Sequence, residues 1–483
     1  MAQFPVLTLA GLSVVINPAK LLSFTRRLIA GGRPRSPVRF ASTTTITGTM
    51  TAKETTRIVP AQRLNIACPK DKSIAEWWAS ERNGKTTEAA AIEEAAELLR
   101  TSDVPVAFPT ETVYGLGADA TRSEAVQGIY KAKQRPSDNP LIIHVDSLAM
   151  LERLLNPIMS PASATRTLPK SIPPVYHSVI SRFWPGPLTI ILPNPSGSLL
   201  AKEVTSDLTT FGVRMPASPL ARLLIHATDR PLAAPSANAS TKPSPTTAQH
   251  VYHDLHGRIE LILDGGPCSV GVESTVVDGL SDPPAILRPG GIGIDDLRKC
   301  EGWENVQVAY HDHSLEAKEA PRAPGMKYRH YSPKARVILF EPDCDEKAVA
   351  RRVHKDMEDT AVGAHSVGIV RTCHWTPGLG LSSPEEKEKT LERIQAAPLG
   401  SLVPFSVPLK DHVKDCLTSK RAIDCALGTS TEEVARGLFA TLRAMDDEQV
   451  DVIYVEGLAA EHGDLHAAVM NRLRKAAGAE LQV

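Results

Sequence analysis

Short apolar runs of three to six residues recur between residues 104 and 288, and this spacing restricts that part of the chain to a sheet-based fold. The predicted strands cover residues 104–109, 141–145, 188–192, 211–214, 232–234, 261–263, 274–277 and 286–288. The predicted helices are fewer, and they cover residues 88–100, 123–133, 218–227 and 246–255. Many short strands with few helices predict an α+β domain built on a twisted mixed sheet, with bounds near 88–293.

The chain beyond residue 333 has a different pattern, because strand-like and helix-like segments alternate. Strands are predicted at 336–340, 367–371 and 452–455, and helices at 346–357, 431–445 and 465–477. This alternation predicts a smaller, doubly wound (Rossmann-like) α/β domain over residues 333–483. Residues 374–430 interrupt it with Pro, Ser and charge, and they predict a long loop or a partly disordered insertion.

Polar segments separate these elements. We expect a polar connector at 54–87, a surface insertion at 156–174 and an irregular linker at 294–332.

Residues 1–53 contain no acidic residue, although they carry several Lys and Arg and many Ser and Thr. This composition predicts a mitochondrial targeting leader, and a disordered basic tail is the alternative. Met50 lies near its end and would allow a second, shorter form to start there. We therefore expect a cytoplasmic protein with a mitochondrial form.

The overall composition argues against several classes of protein. Lys+Arg number 54 against 55 Asp+Glu, so no global charge attracts nucleic acid or an anionic membrane. No apolar run approaches the length of a membrane span, so no membrane association is expected. The 7 cysteines include no C-x-x-C pair, which disfavours a structural zinc site or a disulfide framework, and we predict no protein metal site.

The segment 131–140 is the first candidate binding site, because it holds cations on a loop stiffened by two prolines. Lys133 ends a predicted helix, and Arg135 and Asn139 lie between that helix and the next predicted strand. Such a loop suits a polyphosphate, since charge-assisted hydrogen bonds are strong. The alternative is a solvated helix end whose charges match the helix dipole.

Further polar side chains occur at the ends of predicted strands. His144 is either a satisfied core histidine or a site residue, and Arg214 requires a structural acid or a substrate carboxylate as its partner. Arg288 ends a strand in the same way, and small polar residues such as Ser236 and Ser274 follow or begin others. Their shared position at strand ends predicts one concave anion site.

Several familiar catalytic motifs are absent. The chain has no G-x-x-x-x-G-K-[ST] phosphate loop, no H-E-x-x-H and no acidic metal cluster. Residues 115–120 match G-x-G-x-x-A, but residue 135 is Arg rather than the acid that a dinucleotide ribose requires. The inventory favours substrate positioning and charge stabilisation of a phosphate over covalent or metal-centred catalysis.

Together these segments resemble the YrdC-like threonylcarbamoyl-AMP synthases in their two-domain form. The matching runs are 108–117 (FPTETVYGLG), 133–144 (KQRPSDNPLIIH), 183–189 (FWPGPLT), 235–238 (PSAN), 264–267 (DGGP), 271–276 (GVESTV) and 287–291 (LRPGG). Residues 324–333 (PGMKYRHYSP) resemble the family's linker, and residues 437–446 (GLFATLRAMD) resemble its C-terminal domain. The resemblance covers about residues 88–483.

The resemblance implies an α/β twisted sheet around a positively lined cavity. It also implies the reaction: L-threonine, bicarbonate and ATP give threonylcarbamoyl-AMP, pyrophosphate and water. The product would serve threonylcarbamoyladenosine modification of tRNAs next to the anticodon, through a tRNA threonylcarbamoyl-transferase complex. Magnesium is expected to accompany ATP.

The resemblance also assigns site residues. Lys133 and Arg135 would be catalytic, and Tyr331 would close over the nucleotide as a lid. The residues implied to bind ATP are Lys133, Arg135, Asn139, Thr210, Ser236, Asn238, Ser244, Arg288 and Tyr331. Those implied to bind threonine are Thr112, His144, Arg214 and Ser274.

The chain departs from the family pattern at three positions. Gln134 and Thr241 stand where the family often has glycine, and Ser218 replaces a frequent histidine. The loop conformation at Thr241 is therefore in question.

Two other functions stay open from the sequence. One is an RNA-binding module of the same fold without catalysis, although residues 84–293 show no basic excess. We keep weak RNA binding as a possible added property. The other is a carbamoyl-transfer domain of the hydrogenase-maturation type, which usually carries zinc-finger segments that need paired cysteines.

Overall fold

The computed structural model describes residues 7–9, 12–14, 55–66, 69, 72–135, 139–156, 170–310, 331–359, 364–383, 385–411, 416–459, 465–477 and 479–481. The chain forms two compact units, Met1–Met50 and Thr51–Val483. In the first unit, strands β1 (Leu7–Leu9) and β2 (Leu12–Val14) pair antiparallel. The rest of the expected leader lies outside the described residues, as do 157–169 of the expected insertion and 311–330 of the expected linker.

The larger described sheet has eleven strands, and we call residues 55–310 the eleven-stranded region. Its strands are β3 (Arg57–Pro60), β4 (Val106–Pro109), β5 (Tyr114–Asp119), β6 (Ile143–His144), β7 (Leu188–Pro193), β8 (Thr210–Arg214), β9 (Leu232–Ala233), β10 (Leu261–Asp264), β11 (Thr275–Asp278), β12 (Ala285–Arg288) and β13 (Gln307–Val308). Their order is β13-β12-β11-β7-β8-β6-β9-β5-β4-β10-β3, with parallel and antiparallel pairs. The predicted mixed sheet is confirmed.

Helices pack against this sheet and connect its strands. They are α1 (Arg63–Ile66), α2 (Ile74–Gly84), α3 (Thr87–Thr101), α4 (Ser123–Lys133), α5 (Leu148–Leu155), α6 (His177–Phe183), α7 (Lys202–Thr205), α8 (Pro219–Thr228), α9 (Ala248–Leu255) and α10 (Ile294–Arg298), with a 3₁₀ turn at Pro174–Tyr176. The Thr86 hydroxyl caps α3 by accepting the Ala89 N–H, because the first amides of a helix lack internal partners. At its other end, α4 stops where Gln134 adopts a left-handed φ of 52°.

The expected polar connector at 54–87 is wrong, because this segment is folded into the sheet region. Strand β3 pairs in parallel with β10, some 200 residues away in the sequence. Helix α2 begins at a capping box of Ser73 and Glu76 and buries Trp77 and Trp78. The partner of β3 is too distant in sequence for a local pattern to reveal it.

The structure also shows where the G-x-G-x-x-A segment lies. Gly115 and Gly117 are inside β5, which pairs antiparallel with β4. A Cβ on Gly117 would stand 2.6 Å from the Phe108 ring, so close packing requires glycine there. The segment therefore forms no strand-to-helix dinucleotide turn.

The second sheet has six described strands, and we call residues 334–481 the six-stranded region. Its strands are β14 (Arg336–Phe340), β15 (Ser366–Arg371), β16 (Val403–Asp411), β17 (Cys416–Ala426), β18 (Val452–Glu456) and β19 (Ala479–Leu481), in the order β16-β17-β15-β18-β14-β19. Its helices are α11 (Glu346–Glu358), α12 (Lys387–Ala396), α13 (Thr431–Asp447) and α14 (His466–Ala476). Separate apolar cores lie on its two faces, which confirms the doubly wound prediction.

The expected loop at 374–430 is wrong in large part. It contains a 3₁₀ helix (Pro377–Gly380), α12, and the antiparallel pair of β16 and β17. Val403, Phe405, Val407 and Leu409 alternate as buried residues along β16, with Pro on the opposite face. Proline is tolerated because β16 is the sheet edge.

Candidate active site

A cavity of about 60 Å³ is lined by residues from distant parts of the eleven-stranded region, together with Tyr331. It is lined by Thr110, Val113, Gly115, Arg135, Ile142, His144, Arg214, Ala234, Pro235, Ser236, Glu273, Ser274, Arg288 and Tyr331. Predicted site residues make up half of this lining, namely Arg135, His144, Arg214, Ser236, Ser274, Arg288 and Tyr331. One concave site at strand ends was the prediction, and the fold brings these side chains together there.

Arg214, at the end of β8, is buried and has an acidic partner. Its Nη2 donates to Glu111 Oε1 at 2.8 Å, and its Nη1 donates to Thr112 Oγ1 at 3.0 Å. The sequence left open whether Arg214 pairs with a structural acid or a substrate carboxylate; the structure supplies a structural acid, Glu111. The pairing is incomplete, because Arg214 Nε and Glu111 Oε2 are buried with no hydrogen-bond partner in the described part of the chain. Unsatisfied buried polar atoms indicate room for a further polar ligand.

His144 occupies both the core and the cavity wall, so the two sequence alternatives coincide. Its ring meets Phe108 edge to face, with centroids 6.5 Å apart, and its Nδ1 lies 3.2 Å from the Ile142 carbonyl oxygen. Burial, and then the charge of Arg214, lowers the pKa of His144 well below its ordinary value. The imidazole is therefore neutral near neutral pH.

Lys133 ends α4 fully buried and lies behind the cavity wall. Its Nζ donates to the carbonyl oxygens of Ser236 and of Asn238, the latter at 2.7 Å. Burial, and then the charge of Arg135, lowers the pKa of Lys133 to about 7. Lys133 thus fixes the loop 236–238, while Arg135, two residues later, lines the cavity.

The remaining predicted residues lie outside the cavity lining. Asn139 is buried with an Oδ1 that lacks a partner among the described residues, and Ser244 donates to Glu273 Oε1. Asn238 holds its own loop by donating to the Lys242 carbonyl oxygen at 3.0 Å. Thr210 stands at the opposite end of β8 from Arg214, about 13 Å along the strand. The binding roles of these residues stay predictions.

Arg288 and Ser274 form a second buried group on the wall. Arg288 Nε donates to the Ser274 carbonyl oxygen at 3.0 Å, and its Nη2 lies 3.0 Å from Ser274 Oγ. Ser274 Oγ also lies 2.8 Å from Thr189 Oγ1. Burial lowers the pKa of Arg288 to about 10, so the guanidinium remains charged at neutral pH.

Two residues at the site escaped the sequence analysis. Glu273 lines the cavity, and Arg472 of α14 contacts Glu273 without lining the cavity itself, with its Nε 3.0 Å from Glu273 Oε2. Glu273 lies inside the quoted run 271–276, so its charge was a usable signal. Nothing local in α14 marks Arg472, whose partner is 199 residues away.

Tyr331 closes the cavity from the segment between the two regions. Its ring stacks on Phe439 with centroids 5.1 Å apart, and the Arg472 guanidinium lies 5.9 Å from its centroid. Burial raises the pKa of Tyr331 to about 12, so the phenol stays protonated. Its place on the wall is compatible with the lid that the sequence predicts.

The charges around the cavity suit anionic substrates. Arg135, Arg214 and Arg288 line it, whereas Glu273 is neutralised by Arg472. The described residues contain no cluster of three or more His, Cys, Asp or Glu that could hold a metal ion. Among them, no helix is long and apolar enough to cross a bilayer. The fold and the three arginines of the wall define an enzyme-type pocket whose charge suits small anionic groups.

Comparisons with known proteins agree with this class. Residues 99–290 match the family described as "Telomere recombination" (Sua5_yciO_yrdC), and residues 292–478 match "Threonylcarbamoyl-AMP synthase, C-terminal domain". The threonylcarbamoyl-AMP synthase of Schizosaccharomyces pombe is 45% identical over 398 residues, which is 80% of this chain and 88% of that protein. The chain belongs to the threonylcarbamoyl-AMP synthase family.

Solved structures support the same assignment. A double variant of Sua5 from P. abyssi has a TM-score of 0.63 at 35% identity, covering 88% of this chain and 98% of the other. P. abyssi Sua5 complexed with L-threonine has a TM-score of 0.62 at 39% identity, covering 81% and 96%. The predicted family and fold are confirmed.

Proposed function

We propose that this chain joins L-threonine, bicarbonate and ATP into threonylcarbamoyl-AMP, with release of pyrophosphate and water. The observation that carries the proposal is the cavity itself. Residues assigned to threonine (His144, Arg214 and Ser274) and residues assigned to ATP (Arg135, Ser236 and Arg288) share one wall. The related protein crystallised with L-threonine supports the choice of amino acid.

Threonine is held through its carboxylate by Arg214 in this proposal. The guanidinium retains an unpartnered Nε, and Thr112 fixes the other end of the same group. An anionic substrate group would add a charge-assisted hydrogen bond to a buried donor that lacks one. The neutral His144 ring can then contact the substrate without adding a second positive charge.

The reaction follows in two bond-forming steps. The free threonine amine attacks the bicarbonate carbon, which loses the elements of water and becomes a carbamate. A carbamate oxygen then attacks the α-phosphate of ATP, and pyrophosphate leaves with the bonding electron pair. Arg135 and Arg288 stabilise the charge that develops on the phosphate oxygens. Lys133 holds the loop 236–238 in place beside them.

Exclusion of water is a further requirement, because a carbamate is labile. Arg214, Arg288 and Tyr331 on the cavity wall are nearly inaccessible to solvent. ATP must enter this pocket and water must then be kept out, so one element of its wall is expected to move. Tyr331 is the wall residue supplied by the linker, which favours it as the element that moves.

Magnesium would arrive with the ATP phosphates. The carboxylates nearest the cavity, Glu273 and Glu111, each face an arginine and so do not fit a cation site. We derive no step through the ion. The product would pass to a tRNA-modifying transferase complex, in the cytoplasm and, if the leader functions, in mitochondria.

Pyrophosphate release by the full chain tests the proposal. Reactions with ATP and magnesium would omit threonine and bicarbonate in turn, and release is expected only when both are present. Release of pyrophosphate in the absence of threonine or of bicarbonate would contradict the proposed reaction. Binding of bulk tRNA with steep salt dependence and no pyrophosphate would favour the RNA-binding alternative.

A further inference from the structure

The six-stranded region packs directly against residues that line the cavity, although its own described residues do not line it. Its apolar core continues into the other region, because Val113, Val272 and Tyr331 belong to the same buried cluster as α13 and α14. Gly271 shows how close the contact is. A Cβ there would lie 2.4 Å from the Ala435 carbonyl oxygen, and its φ of +87° favours glycine. The strap 270–274, which includes two lining residues, is therefore packed directly against α13.

Arg472 is the polar centre of this contact. It is fully buried, with Nε on Glu273 Oε2 at 3.0 Å and Nη1 on the Pro289 carbonyl oxygen at 2.5 Å. Pro289 follows Arg288 at the end of β12. A single guanidinium from α14 thus bonds to Glu273, which precedes β11, and to Pro289, which follows β12. Its Nη2 has no partner in the described part of the chain.

Arg472 also faces the ring of Tyr331, and that ring stacks on Phe439. Both contacts come from the six-stranded region, so the position of Tyr331 depends on how that region is docked. A buried ion pair contributes little net stability compared with an apolar contact of equal size. Stability alone is a weak reason for a charge at this place.

We propose that Arg472 is a positioning residue of the reaction, which fixes Glu273 and Tyr331 on the cavity wall. The six-stranded region would then support the active site by holding two residues that line the pocket. This inference rests on the proposed function for its activity readout.

The charge of Arg472 gives the inference a pH signature. Burial by itself raises the pKa of Glu273, but the charges of Arg472 and then Arg288 outweigh burial and hold that pKa below its ordinary value. Ser244 lowers it further by a hydrogen bond, and the buried Lys133 and Tyr331 also interact with Glu273. Without Arg472 the pKa of Glu273 rises, so activity that needs the ionised carboxylate is lost at a higher pH as the solution is acidified.

The test compares Arg472→Gln with Arg474→Gln in the full chain. Arg474 lies two residues later on α14 and pairs with Glu341 at 3.2 Å, inside its own region. We expect Arg472→Gln to lower kcat for pyrophosphate release roughly 10–100-fold, a loss typical of small misplacement, with a smaller change in KM. The acidic side of its pH–activity profile (the acid limb) should move to higher pH. Arg474→Gln should keep the rate and the pH profile of the unchanged chain.

Arg472→Lys keeps the charge but not the fork that reaches two partners. It should restore the acid limb while leaving kcat reduced. If Arg472→Gln and Arg474→Gln share one kcat and one pH profile, and differ only in thermal unfolding, Arg472 is merely structural and the inference is overturned. The inference is also overturned if thermal unfolding shows that Arg472→Gln is folded and if Arg472→Lys loses activity at the same acidic pH as Arg472→Gln.

Amide hydrogen exchange separates this inference from the proposed function. Peptides covering 269–274 and 331–335 should exchange faster in Arg472→Gln than in Arg474→Gln, whatever reaction the chain catalyses. If the unchanged chain releases no pyrophosphate, the proposed function fails, and the exchange result still decides the positioning role. Equal exchange in both variants would reject that role.

Discussion

Two buried arginines, one in each region, are paired with acids in different ways. In the six-stranded region, Arg371 makes hydrogen bonds of 2.8–3.0 Å to both oxygens of Asp424, which also accepts the Gly378 N–H at 2.8 Å. In the eleven-stranded region, Arg214 makes one bond to Glu111 and leaves an atom of each partner unsatisfied. A saturated pair is built for the fold, whereas an unsaturated pair on a cavity wall has capacity for a ligand.

The largest expected effect is on stability, from breaking the saturated pair. Arg371→Gln leaves the Asp424 carboxylate buried without its cation, so the free energy of unfolding should fall by about 3–5 kcal/mol. Urea unfolding measures the change. Where the variant is folded, KM for threonine should match that of the unchanged chain; weaker threonine binding at unaltered stability would remove the contrast between the two pairs.

Breaking the unsaturated pair should act mainly on the substrate. Arg214→Gln is expected to raise KM for threonine roughly 100-fold, or about 2.7 kcal/mol, because a charge-assisted contact is lost. Steady-state pyrophosphate release with threonine as the varied substrate measures it.

Glu111→Gln provides the control for the same prediction. Added to Arg214→Gln, it removes the uncompensated buried carboxylate and should recover stability in urea unfolding, but not threonine binding. If the double variant recovers a low KM for threonine, Arg214 does not hold the substrate.

Another arginine of the cavity wall, Arg135, gives the third comparison. Arg135→Ala should lower turnover roughly 10–100-fold, since charge on the phosphates loses one stabilising group, while the thermal unfolding temperature stays close to its original value. Turnover and unfolding would be measured on the same preparation. Unchanged turnover would remove Arg135 from the proposed mechanism.

The smallest effect concerns backbone strain beside the pocket. Thr241 has a φ of 74° and Gln134 a φ of 52°, in the left-handed region that side chains disfavour. Thr241→Gly should raise the free energy of unfolding by about 1 kcal/mol, and Gln134→Gly by less, because a β-branched residue is the more strained. A destabilised Thr241→Gly in urea unfolding would show that the threonine side chain contributes more than its backbone costs.

Local patterns predicted the elements that carry their own signal. Helix α4 has its predicted bounds, because its apolar spacing and its end are written in neighbouring residues. Strand β14 was likewise found by its continuous apolar run. The hairpin of β16 and β17 was missed because Pro404 and Pro408 argue against a strand although the apolar residues around them alternate. Strand β3 was missed because its partner β10 is distant in the sequence.

The departures from glycine at Gln134 and Thr241 were visible in the sequence by resemblance. Their left-handed backbone supplies the physical reason why glycine is favoured at both positions. Thr241 also accepts the Ser332 N–H at 2.9 Å, which ties its loop to the residue after Tyr331. That link joins parts of the chain whose proximity no local pattern could predict.

The amino-acid sequence was enough to identify the family, both sheet types and half of the cavity lining, because motif residues and hydrophobic period are local properties. The partners of those residues emerged from the folded chain alone: Glu111 for Arg214, and Arg472 for Glu273. Pairing of buried charges depends on which chain segments meet at the cavity wall, and the six-stranded region packs against that wall from another part of the sequence. Whether a buried arginine is saturated or still open to a ligand is therefore a property of packing, since the same side chain can serve either purpose.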